Sequence, residues 1–192
     1  MTNLRDYLSK INPSLPNLDA PWVNIERAVN GWRCVLIHHL TGSENGGKHN
    51  IFVDLLDETG NLIVHPTGVT LGWTWDGRRA DEDAPPKLFD KTGNEPATNL
   101  DIYHGQQVVV WINDSSNNSD NVANLRSDPP VGEEWGNTLF HHSYYVVFQR
   151  LANVTVTSPT PPTDCAECQR QLAEMRAHVD EMRKLVNSWV GD

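Results

Sequence analysis

Five of the eight histidines in this 192-residue chain fall in two short runs, His38-His39-Leu-Thr-Gly-Ser-Glu44-Asn-Gly-Gly-Lys-His49 and His141-His142. Imidazole and carboxylate are ligands of Zn²⁺ and similar ions, so the candidate metal set is His38, His39, Glu44, His49, His141 and His142. On a strand, neighbouring side chains face opposite ways. Only one histidine of each adjacent pair can then reach a shared ion. A plainer reading is preferred: inward histidines bonded within a core and outward ones on the surface, because no fixed ligand spacing such as H-E-x-x-H is present. The oxygen-rich run from Asp114 to Asp120 is a candidate for Ca²⁺ but lacks the spacing of an EF-hand. The expectation is a protein without a cofactor, with Zn²⁺ or Ca²⁺ as the alternatives.

Catalytic signatures are missing: no G-x-S-x-G, P-loop or G-x-G-x-x-G occurs. Asp81, Glu82, Asp83, Glu133 and Glu134 are raw material for a glycosidase pair, but an acidic chain offers such pairs by chance. No enzymatic activity is expected. Recognition is better served, since seven tryptophans is a high number for this length. Flat rings stack on the apolar C–H faces of sugars while nearby Asn, Asp and Arg satisfy the hydroxyls. Trp135, Asn137 and Tyr145 are the candidate ligand contacts, Trp135 because it sits in the loop run Gly132-Glu-Glu-Trp-Gly-Asn. Trp73, Trp75 and Trp111 lie in strand-like segments and are expected to fill the core.

The elements that must position these residues read as strands. Trp32 to Leu40 is apolar on both faces and belongs centrally in a sheet. Asn50 to Leu56 and Leu62 to Val64 read as a hairpin around Gly60. Val69, Leu71, Trp73 and Trp75 alternate with smaller residues up to the Asp76-Gly77 turn. Gln106 to Asn113 and Thr138 to Arg150 supply further strands, the latter with Phe140, His142, Tyr144, Val146 and Phe148 on one face. Residues 78–101 and 114–137 read as loops. About six strands with turns between them predict a mainly β fold, an antiparallel β-sandwich or jelly-roll-like head, over residues 30–151. Residues 1–29 precede it as a short helix, with Leu4, Tyr7 and Leu8 on one side, and an extended proline-bearing arm.

A different pattern follows the head. Residues 152–163 form a Thr/Pro tether that should be extended and semi-rigid. In residues 164–192, Cys165, Cys168, Leu172, Met175, Val179, Met182, Val186 and Trp189 recur at alternating spacings of three and four, an unbroken a/d heptad seam. A lone helix of this length cannot bury its own stripe, so a coiled-coil oligomerisation helix is expected, packing copies of the chain together. Cys165 and Cys168 fall on the seam. Three readings stand for them: buried small apolar residues, interchain disulfides, or a zinc site built from two copies of the motif.

A net charge of −10 argues against nucleic acid, where Lys and Arg must neutralise phosphates, and against an anionic membrane surface. No apolar run is long enough to span a bilayer, so no membrane insertion is expected. The N-terminal residues lack a secretory signal, which implies synthesis and retention in a cytoplasm.

Two stretches go together: Gly31-Trp-Arg-Cys-Val-Leu-Ile-His-His-Leu-Thr with Glu44-Asn45 and His49-Asn50, and Gly136-Asn-Thr-Leu-Phe-His-His-Ser-Tyr-Tyr-Val-Val-Phe-Gln. As a set, over residues 30–150, they resemble an uncharacterised β-rich domain of bacteriophage and prophage proteins, sometimes attached to cell-wall-directed enzymes. The resemblance brings no catalytic residues. With the stalk, it implies a non-enzymatic homo-oligomeric structural or attachment protein of a virion, a fibre or capsid decoration protein, made in the host cytoplasm. Its partners would be itself, as a homotrimer or homodimer, and other virion proteins. The alternatives are a carbohydrate-binding module recognising cell-surface glycan and a metal-dependent enzyme using the histidine cluster.

Overall fold

The computed structural model describes residues 3–12 and 17–152 and, in the C-terminal helix, residues 170, 173, 174, 176, 177 and 179–182. The chain divides into two units, Met1–Asn153 and Val154–Asp192. The first is mainly β. A 3₁₀ helix (Leu4–Lys10) opens it, capped by the Asn3 side chain accepting from the Arg5 N–H. Ten strands follow: β1 (Asn17–Leu18), β2 (Asn24–Glu26), β3 (Trp32–His39), β4 (Asn50–Leu56), β5 (Val69–Trp75), β6 (Lys87–Leu88), β7 (Thr98–Asp101), β8 (Gln107–Asp114), β9 (Asn121–Arg126) and β10 (Tyr144–Arg150). A single helical turn, α1 (Gly42–Asn45), links β3 to β4.

The strands form two five-stranded sheets, in the orders β1-β3-β10-β4-β7 and β2-β9-β8-β5-β6. Alternation along each strand sends one set of side chains into a shared core. Trp32, Cys34, Ile51, Val53, Tyr144, Val146 and Phe148 of the first sheet meet Leu71, Val108, Val110, Ile112, Val122 and Leu125 of the second. Each such aliphatic side chain contributes about 1.5–3 kcal/mol by leaving water. The all-antiparallel pairing expected from the sequence holds throughout the second sheet. It fails in the first, where β10 runs parallel to β4 and β1 parallel to β3. The expected 62–64 partner strand reduces to one bridge, Leu56 to Leu62, because the Asp57 carboxylate folds residues 57–61 into a turn by accepting from the N–H groups of Thr59 and Asn61.

The first sheet is covered on its outer face as well. Val35, Leu36, Leu40, Leu56, Tyr145 and Val147 form a second cluster, on which Leu4, Tyr7, Leu8 and Ile11 of the N-terminal segment pack. An ion pair pins that segment down. Arg5 donates from Nε and Nη2 to the two oxygens of Asp54, at 3.0 Å each, and Asp54 is fully buried. Tyr145 Oη (2.7 Å) and the Ala97 N–H (2.8 Å) also donate to that carboxylate. The described part of the arm stays on its own head: β1 lies on β3 and β2 on β9.

In the second unit, Arg170, Ala173, Glu174, Arg176, Ala177 and Val179–Met182 are helical, with an Arg170–Glu174 ion pair at 3.0 Å. The tether and the seam positions Cys165, Cys168, Leu172, Met175, Val186 and Trp189 lie outside the described residues. Among the described residues no helix is long and apolar enough to cross a membrane.

Candidate functional site

The chemistry-bearing residues gather around the end of β3 and the α1 connection. A bulge between β3 and β10, where Phe148 pairs with Cys34 but Val147 with Leu36, leaves Val35 as an extra residue. Beyond it His38 stands on the outer face of the sheet and His39 on the core side.

His38, 5 % exposed, is held between two carboxylates: Nδ1 lies 2.5 Å from Asp19 Oδ2 and Nε2 2.9 Å from Glu44 Oε2. The Tyr7 ring stacks on it at 4.1 Å, and Tyr7 Oη donates to Glu44 Oε1 at 2.8 Å. Burial opposes a charged imidazole here, but hydrogen bonds to Asp19 and Glu44 outweigh it and raise the His38 pKa. For Glu44, burial is likewise overcome by donors on His38, Tyr7 and Thr41, which bring its pKa down to about 2.

His39 behaves in the opposite way. Its Nε2 lies 3.0 Å from His142 Nδ1, so one ring donates and the other accepts, and a second proton would set two cations side by side. Burial first, then the charge of His142, lowers its pKa to about 4. His142 is lowered too, chiefly by burial. Trp22 meets the His39 ring edge-on and donates from Nε1 to Tyr144 Oη, which donates to the Arg126 carbonyl. His49 and His141 sit at the rim, their rings 6.0 Å apart, with His49 Nδ1 donating to the Ile102 carbonyl.

The six residues read as a metal set are thus split three ways: His38 with Glu44, His39 with His142, and His49 near His141. Among the described residues no three His, Cys, Asp or Glu side chains are grouped to hold a metal. The Asp114–Asp120 run spends its carboxylates on protein donors. Asp114 accepts from Trp32 Nε1, the Ser116 N–H and Asn117 Nδ2. Asp120 accepts from Arg27 and from the N–H groups of Ala28 and Cys34.

Trp135 is 80 % exposed, and its place is built. Glu134 and Asn137 exchange both backbone hydrogen bonds at 2.9 Å, closing a turn with Trp135 and Gly136 at its tip. Gly136 has φ +86°, the left-handed value that the third position of such a turn demands. Glu134 Oε1 accepts from the Gly42 N–H at 2.7 Å, and Asn137 Nδ2 donates to the Leu40 carbonyl at 2.6 Å. A Cβ on Gly42 would lie 1.8 Å from the Trp135 carbonyl oxygen, so the turn and α1 touch backbone to backbone. Asn137, 1 % exposed, therefore holds the turn and presents nothing to a ligand. Tyr145 is fully buried beneath the N-terminal helix, and its hydroxyl is committed to Asp54, which removes it from the ligand contacts. Trp73 and Trp75 pack on the core as expected, their rings stacked 5.3 Å apart. Trp111 instead lies on the outer face of the second sheet, over Gly72, where a Cβ would come within 2.4 Å of its ring.

A cleft that the sequence did not reveal opens on the outer face of the first sheet, with a volume of about 460 Å³. Phe52 of β4 forms its floor, Asn99 of β7 pairs with Phe52 across the strands, and Lys48, Asn50, Lys91 and Asn94 line it. These residues are spread over about fifty positions and share no motif; the pairing of β4 with β7, and the loops beside those strands, bring them together. Comparison of the chain with protein-family models, with curated proteins and with solved structures finds no match.

Proposed function

We propose that the protein is a non-enzymatic, homo-oligomeric structural and attachment protein of a bacteriophage particle, a fibre or capsid decoration component carrying a jelly-roll-like β head on a coiled-coil stalk. The observation that carries this reading is in the C-terminal helix. Val179 and Met182, consecutive a and d positions of the seam, are helical yet 50 % and 59 % exposed in the single chain. Apolar a and d side chains left in water by one helix are what further copies bury. The virion assignment rests on the resemblance of residues 30–150. Light scattering on the full chain and on a version ending at Ala152 tests the assembly. The full chain is expected as a trimer or dimer and the truncated one as a monomer; a monomeric full chain would defeat the reading.

Recognition of cell-surface glycan is the second reading, and the Trp135 turn favours it. A large ring held in water by a dedicated hydrogen-bond network gains its free energy only when a partner covers it. Glycan-array binding by the full chain that disappears in Trp135→Ala is the expected result. Equal binding by both would remove Trp135 from that role.

A further inference from the structure

The cleft beneath the N-terminal helix has the chemistry of a ligand site, and we propose that it binds a saccharide unit carrying one negative charge. This inference stands on the head alone and does not rest on the stalk or on Trp135.

The argument starts from the floor. Phe52 projects from β4 on the outer face, with Asn99 opposite it on β7 and Asn50 two residues back on the same face. An aromatic floor edged by carboxamides offers an apolar surface for C–H groups and donors and acceptors for hydroxyls. Among the described residues, the side chains of Asn94 and Asn99 engage no hydrogen-bond partner. About 460 Å³ falls in the range of small-ligand sites.

Charge then narrows the class. The Lys48 ammonium lies 5.7 Å from the Phe52 ring centre, and among the described residues no carboxylate pairs with it. Glu44 also borders the cleft, but its two oxygens already accept from Tyr7, His38 and Thr41. Lys91 shares its charge with Glu95 at 3.8 Å. One cation is therefore without a carboxylate partner, over the Phe52 ring and within an amide-lined cleft. A hexose with a carboxylate or phosphate satisfies floor, amides and cation together. The wall is preformed, since the helix that begins at Leu4 and is capped by Asn3 is fastened by the Arg5–Asp54 pair, and a preformed site spares the ordering cost of binding.

Saturation-transfer NMR on the full chain tests this with D-glucuronate, glucose 6-phosphate and neutral glucose as probes. Saturable transfer is expected to at least one anionic sugar, with glucose about tenfold weaker or more. A response to glucuronate alone assigns a carboxylate ligand, and one to glucose 6-phosphate alone a phosphate ligand; either supports the site. Lys48→Gln should weaken the anionic sugar about tenfold while leaving the unfolding temperature in place, because Lys48 is exposed. Asn94→Ala, on the exposed loop, should weaken all binding several-fold. No transfer to either anionic sugar at about 10 mM, or binding unchanged in both variants, would overturn the proposal.

Discussion

Neighbouring histidines with opposite titration give the head a stability optimum, and its acid limb can be worked out. Burial and His142 hold the folded pKa of His39 at about 4, against about 6.5 in an unfolded chain. As the pH falls below about 6.5 the unfolded chain takes up the proton first. The contribution of His39 is therefore whole above that value and is lost progressively down to about 4. At about 1.36 kcal/mol per pH unit, the span would be worth ~3 kcal/mol for an occluded ring. His39 is half-buried, and solvent screening brings this to about 1–2 kcal/mol. His38 has the opposite sign: its folded pKa is raised, so its contribution is whole below about 6.5 and fades as pH climbs through the folded pKa. Stability from the two should peak near pH 6.5. Urea unfolding followed by tryptophan fluorescence, at about pH 4.5, 6.5 and 8.5, measures this. Between the upper two values the head should lose stability on the alkaline side. Between about 6.5 and 4.5, His39→Gln, which still bonds His142 but takes no proton, should lose about 1–2 kcal/mol less than the parent. Equal losses in the two proteins would refute the assignment of the acid limb to this pair.

Other perturbations have defined outcomes. Arg5→Ala leaves the Asp54 carboxylate buried without its cation, which should cost about 3 kcal/mol or more and open the N-terminal segment to protease; urea midpoints and the cleavage pattern read both. Gly136→Ala meets the Gly42 carbonyl at 1.9 Å with φ at +86° and should cost about 2 kcal/mol or more in a thermal melt. Trp135→Ala, at a side chain mostly in water, should stay within about 0.5 kcal/mol of the parent in that melt, which separates its binding role from folding.

The strands were legible where alternation is regular. Val69, Leu71, Trp73 and Trp75 face the core as their spacing implies, and β3 and β10 are apolar on both sides because both faces of their sheet are covered. β9 was hidden because Asn124 takes a left-handed φ of +63°, so its inward residues Val122 and Leu125 stand three apart instead of two. β7 was hidden because Asn99 and Asp101 face outward and leave only two buried residues, Thr98 and Leu100. β10 begins at Tyr144, later than its hydrophobic pattern, since Phe140 at φ +69° breaks the strand. Trp111 misled because tryptophan on a strand reads as core, and nothing local announces that Gly72 on the neighbouring strand makes room for it outside. His38 and His39 alternate on β3 as read, but which of them faces the core depends on the bulge at Val35, a property of the pairing with β10; His141 and His142 precede β10 and do not lie on a strand, so alternation does not orient them. The cleft depends on strand neighbours, loops and an N-terminal segment that are distant from one another in the chain.

The middle strand of the first sheet is also the last to be made. β10 separates β3 from β4, so neither strand can complete its ladder until residue 150 has left the ribosome. About a hundred residues are translated between the end of β3 and the start of β10, which at ~5–20 residues per second leaves β3 waiting for ~5–20 s. During that interval Val35, Leu36 and Ile37 on one strand and Ile51 and Val53 on the other lack the strand that will pair with theirs, while the second sheet, whose β2, β5, β6, β8 and β9 are all made before β10, can already zip up. Newly made heads thus pass through a half-built state with two apolar strand edges bare, the stage at which crowding of nascent chains turns β-strands toward one another instead of toward their own final strand.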